Sequence, residues 1–122
     1  MRLWHKDLIP YLPRQQLLGQ HRECCALRGK GWGKNHSVVN YVFEHPYSKL
    51  FAYHVKIMSE MKNRNYNVDS IWMNCKYRGK LLGYDLTEFA DLTDVSDYTE
   101  HNEEYLQECI ENLEKKGIHI KL

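Results

Sequence analysis

The chain has 122 residues, 17 Lys and Arg against 16 Asp and Glu, and nine Tyr with three Trp; that length supports one core without staples, so a single domain over 1–122 is expected. No stretch approaches the roughly 20 apolar residues of a membrane span, and no charged-then-apolar leader opens the chain, which predicts a cytoplasmic protein away from the membrane. A net charge of +1 names no partner, but its distribution does: residues 1–80 carry 14 cations and 5 anions, residues 81–122 carry 3 and 11. A basic working surface with an acidic remainder is the electrostatic pattern of a phosphate-binding protein. The four cysteines, Cys24, Cys25, Cys75 and Cys109, have the spacing of neither a metal knuckle nor a disulfide framework. Reduced thiols are expected.

Met1 to Pro10 supplies a cation at Arg2, an aromatic at Trp4 and an imidazole at His5. Removal of an initiator Met needs a small second residue; with Arg2 in that place, Met1 is expected to keep the free amine. Leu12 to Arg28 reads as one helix, with Pro13 in its first turn, where the missing N–H is harmless. At 3.6 residues per turn Leu17, Leu18, His21, Cys24 and Cys25 form a core stripe. Gln15, Gln16, Gly19, Arg22, Glu23 and Ala26 share the opposite face. Gly19 costs roughly 1 kcal/mol of helix propensity relative to Ala. With Ala26 nearly stacked on it, Gly19 makes a low floor between a cation and a carboxylate, where a bulky partner can approach closely.

Arg28 to His36 holds three glycines and three cations, Arg28, Lys30 and Lys34, around Trp32. This suits phosphate contact but lacks the spacing of a nucleotide P-loop. Ser37 to Phe43 is β-branched and short, a strand or an extended connection. Pro46 opens a second helix whose core positions are Tyr47, Leu50, Phe51, His54, Ile57, Met58 and Met61, with Asn65 available for a left-handed cap. His54 on that stripe reads as a satisfied core histidine. Tyr66 to Tyr84 reads as irregular, and Asp85 to Asp94 as room for one helical turn. Thr99 is placed to cap a last helix with Tyr105, Leu106, Cys109, Ile110 and Leu113 inward, ended by Gly117. The tail IHIKL can dock on the core. The fold class is all-α: a small bundle of three main helices, near 14–28, 46–64 and 100–116, with long irregular connections.

With Arg22 and Glu23 singled out, RQQLLGQHRE resembles the signature helix of the phage-type pyrimidine-dimer DNA glycosylase/AP lyase family, endonuclease V. The matching positions are Gln15, Gln16, Leu17, Leu18, His21, Arg22 and Glu23, and MKNRNYNVD is similar to the end of that family's next helix. The resemblance spans about residues 1–70. It implies attack on a damaged nucleotide by the chain's own α-amine, here Met1, with Glu23 as the catalytic carboxylate. It also implies double-stranded DNA as partner, a monomer, and no cofactor or metal. An α-amine has an unperturbed pKa near 7.7–8.0, so a useful fraction is nucleophilic near neutral pH. The DNA-contacting set expected is Arg2, Arg22, Arg28, Lys30 and Lys34. The chain departs from the pattern in having Met1-Arg2-Leu3 where the family has Thr-Arg-aliphatic, Ala26 one turn after Arg-Glu where the family has Arg, and no aromatic C-terminal segment. Two other readings stand beside this one. One is a nucleic-acid-binding protein of the same fold without catalysis. The other is a metal-dependent hydrolase built on His5, His21, Glu23 and His54, which lacks a ligand spacing.

Overall fold

The computed structural model describes residues 2–29, 32, 40–80, 83 and 96–122. Within them are three α-helices, α1 (Arg14–Arg28), α2 (Tyr47–Asn63) and α3 (Glu103–Lys115), each preceded by a short 3₁₀ turn, at Lys6–Tyr11, Asn40–Glu44 and Ser70–Met73. Among the described residues no strand forms. The all-α expectation holds, with each helix bound within three residues of its predicted place.

The N-terminal segment is core, not tail. Leu3, Trp4, Leu8, Ile9 and Leu12 are buried, and His5 starts the first 3₁₀ turn by accepting the Asp7 N–H on Nδ1 at 3.1 Å. Pro13 sits at the N-cap of α1 and Pro46 at that of α2. The two helices pack through Leu17, Cys24, Leu27, Leu50, Tyr53, Ile57 and Met61. Each fully buried aliphatic side chain there contributes on the order of 1.5–3 kcal/mol. α3 adds Leu106, Cys109 and Leu113, and Ile118 and Ile120 of the tail rest against the same cluster. Cys24, Cys25, Cys75 and Cys109 are all free thiols.

The helix ends follow the sequence closely. Asn65 takes φ 63° after α2; its N–H reaches Lys62 O at 2.9 Å and that of Tyr66 reaches Met61 O at 2.8 Å. Gly117, φ 81°, repeats the pattern after α3, with Ile118 N–H bonding Leu113 O. Both are Schellman caps. Gly29 ends α1 for a different reason. A Cβ there would lie 2.8 Å from the Arg78 carbonyl oxygen, so only glycine lets the 77–79 segment close over the helix end.

Two expectations are corrected. Asn102, not Thr99, caps α3: its Oδ1 accepts the Tyr105 N–H at 3.0 Å. Thr99 is drawn away because its hydroxyl bonds Glu100, and the chain turns from Tyr98 O to His101 N–H before the helix can begin. Of the extended stretch read at 37–43, residues 40–43 are a 3₁₀ turn that buries Val42; 37–39 and the turn read at 85–94 lie outside the described residues.

Candidate functional site

The face of α1 read as a low floor is open. Arg22 and Ala26 are exposed, and the nearest atom to a Cβ built on Gly19 is Arg22 Nη2 at 3.9 Å. Glu23 borders this floor on one side and His21 with Cys25 on the other, all three half-buried. Leu17, Cys24 and Leu27 face the core as a helical period requires. Leu18, His21 and Cys25 are only partly covered; the stripe is rotated toward position 20 relative to the sequence reading.

The residue responsible is Gln20, which is 2% exposed. Its Nε2 donates to the Arg2 carbonyl at 3.0 Å and to Glu23 Oε2 at 3.2 Å. Its Oε1 accepts the Trp4 N–H at 2.6 Å. Tyr53 of α2 stands over this clip, its hydroxyl 2.6 Å from Trp4 O and 3.0 Å from Gln20 Oε1. Burial pushes the Tyr53 phenol well above its ordinary pKa, so it remains a donor. Tyr105 of α3 donates to the Leu3 carbonyl. The start of the chain is thereby pinned along α1, with the Arg2 backbone and the Glu23 carboxylate on one amide. Met1 lies outside the described residues; the residue bonded to it does not.

Gln20 and Tyr53 escaped the sequence reading, although the signal existed. Leu17, Gln20, Cys24 and Leu27 recur at three, four and three, a core spacing in which the polar Gln was passed over.

The cations are placed less uniformly than expected. Arg22 is exposed on the floor. Arg2 is partly buried, with Nη1 3.3 Å from Glu108 and its guanidinium over the Tyr105 ring. Lys30 and Lys34 lie outside the described residues. Arg28 is a correction, because it is fully buried. Its five N–H groups reach Tyr47 Oη at 2.8 Å, His54 Nδ1 at 2.9 Å, Trp72 O at 2.8 Å, Asn74 O at 2.9 Å and Tyr77 O at 3.0 Å. Every donor is engaged inside the protein, so Arg28 has none left for a phosphate.

Arg28 also decides the state of two histidines. An arginine only donates, so His54 Nδ1 must accept and its proton sits on Nε2. That proton points to His21 Nδ1, 2.8 Å away, which places the His21 proton on its own Nε2. Burial holds both rings below the usual histidine pKa; Arg28 lowers His54 further, and Arg22 then Arg28 lower His21. His54 is the satisfied core histidine expected. His21, Cys25 and His54 offer ligand atoms within 4.8 Å of one another, yet His54 Nε2 carries a proton, not a lone pair, while Arg28 bonds Nδ1. A metal there would have to break the Arg28 contact and sit near its charge. Burial pushes the Cys25 thiol up to about 11, so at neutral pH it rests protonated. His5, the other histidine of the hydrolase reading, is buried at the first 3₁₀ turn, accepting from Asp7.

No helix among the described residues is long and apolar enough to cross a membrane. In comparison with known proteins, no curated protein and no solved structure matches. A family model described as pyrimidine dimer DNA glycosylase matches residues 1–74.

Proposed function

The chain belongs to the pyrimidine dimer DNA glycosylase family, and on that premise we propose that it is a monomeric glycosylase and AP lyase acting on damaged duplex DNA through the Met1 α-amine and Glu23. The observation that carries this reading is the Gln20 clip, which holds the Arg2 carbonyl and the Glu23 carboxylate to one nitrogen. The backbone of Arg2, the residue that follows Met1, is thereby linked to the Glu23 carboxylate at the edge of an open helix floor.

The unprotonated amine attacks C1′ of the damaged nucleotide. A C–N bond forms, the glycosidic bond breaks, and the base leaves with its bonding pair. Loss of the amine proton and opening of the sugar at O4′ give an iminium at C1′. Glu23 stabilises the developing positive charge and removes a proton from C2′; the C3′–O bond then breaks with departure of the 3′ phosphate. Water hydrolyses the imine and restores the amine. Arg22 holds a flanking phosphate as a charge-assisted contact, and the Gly19/Ala26 floor admits the backbone. Nothing in this sequence of steps calls for a metal or cofactor. The expected Thr is replaced by Met1, whose amine has the same intrinsic basicity, so the chemistry survives the change of side chain.

Incubation with abasic duplex DNA and borohydride tests the reading. A covalent adduct mapping to the Met1 nitrogen is expected, and acetylation of that amine should abolish it while DNA binding persists. The rival nucleophiles are lysines, almost wholly protonated at neutral pH with an unperturbed pKa near 10.4. An adduct on a lysine, or none from protein with a verified free Met1, overturns the mechanism.

A further inference from the structure

Gln20 takes no part in the chemistry above, yet its surroundings are built for it. A carboxamide has two donor hydrogens and one acceptor oxygen. The oxygen accepts from Trp4 N–H, and because that group can only donate, the amide cannot flip. Its two hydrogens are therefore committed to the Arg2 carbonyl and to Glu23 Oε2. Gln20 itself is buried, which limits competition from water at its amide. At a core spacing of three, four and three, an apolar residue would fill this position without any demand for partners. A glutamate of the same shape would offer no donors and a second negative charge.

We infer that Gln20 is a positioning residue of the reaction, setting the distance and angle between the Arg2 backbone and the Glu23 carboxylate, and that only a neutral amide can do so. This rests on the proposed amine mechanism. Two groups from distant parts of the sequence must converge on one sugar, and a misplacement of about 1 Å can cost on the order of a hundredfold in rate. The Gln20 amide is a single rigid plane touching the Arg2 carbonyl and the Glu23 carboxylate. Loss of its two donors breaks the link between the two groups without removing either. DNA contacts on the open floor, through Arg22, are left in place.

The test is single-turnover cleavage of abasic duplex DNA at saturating protein, with the affinity measured separately. Gln20→Met, which keeps the length and burial but no donors, should lower the rate at least about tenfold and leave the affinity within about threefold. Gln20→Glu adds a negative charge at the Arg2 carbonyl, and should move the rising limb of the pH–rate profile to higher pH, because an added anion favours the protonated amine. A third measurement needs no variant at this position. The side-chain NH₂ signals of ¹⁵N-labelled Gln20 should shift when Glu23→Gln replaces the carboxylate acceptor. Folded Gln20 variants with the parent's rate and pH profile, or Gln20 signals indifferent to Glu23→Gln, overturn the inference. A parent protein that neither cleaves nor traps overturns the amine mechanism itself, so the two failures are distinguishable.

Discussion

At the scale of single residues, two arginines six positions apart have opposite fates, and substitution separates them. Arg22 stands exposed on the α1 floor. Arg22→Ala should leave the unfolding free energy within about 0.5 kcal/mol of the parent's, while the slope of log affinity against log salt falls by about one. Arg28→Met would strand carbonyl acceptors on Tyr77, Asn74 and Trp72, that of Tyr77 buried. A loss of about 3–5 kcal/mol is expected in urea unfolding; a near-neutral result would mean that the guanidinium is not the organiser of that segment. Glu23 is tested differently. Glu23→Gln keeps size and hydrogen bonding but cannot accept a proton or oppose a positive sugar with a full charge. Cleavage of abasic DNA should therefore be abolished while affinity is kept. Cleavage by the Gln variant at the parent's rate would remove Glu23 from the mechanism.

At the scale of elements, α1 is a helix carrying a glycine that its own fold does not require. Gly19 has an open neighbourhood, with only Arg22 Nη2 at 3.9 Å from an added Cβ. Gly19→Ala should thus raise stability by up to about 1 kcal/mol in denaturant unfolding and weaken DNA binding by lifting the floor. Stabilisation without loss of affinity would show that DNA does not approach there. This element also shows what a sequence can and cannot disclose. The three helices were legible because a period of 3.6 and the caps at Asn65 and Gly117 are local properties. What was legible around Glu23 and Arg22 is the open face, because Gly19 breaks the propensity rule there. Gln20 was passed over and Arg28 misjudged because a polar side chain is buried only when distant groups satisfy it. Those partners, Arg2 and Trp4 for one, Tyr47, His54 and the 72–77 carbonyls for the other, are not visible in local spacing. Thr99 was misplaced for the same reason, since the turn at 98–101 depends on packing of Tyr98 and His101 under the bundle.

At the scale of the whole molecule, the acidic half of the chain folds back on the basic half. Asp97 pairs with Lys6 at 2.9 Å and with Lys56, Glu100 lies 2.8 Å from His45, and Glu108 reaches Arg2. The charge asymmetry of the sequence is thus partly cancelled within the molecule. The same folding buries imidazoles in neutral form. His101, under 10% exposed, stacks on His5 at 5.5 Å and meets the Tyr41 hydroxyl at 2.8 Å; burial, reinforced by His5, pushes it down to about 3. His21 and His54 are also lowered by burial. For each, the unfolded chain binds a proton near pH 6.5 that the folded protein refuses, so stability is full above that pH and falls as pH drops below it. The slope is about 1.4 kcal/mol per pH unit for each histidine protonated only when unfolded. Asp97, held low first by its bond to Lys56, works in the same direction but only below the usual carboxylate range, so the window from pH 6.5 to 5 belongs to the histidines. Urea unfolding should give equal stability at pH 8 and 7 and a marked loss by pH 5. His101→Gln, which removes that titrating group while retaining a polar partner for Tyr41, should flatten the decline. Stability unchanged between pH 7 and 5 would contradict the buried neutral state of all three rings.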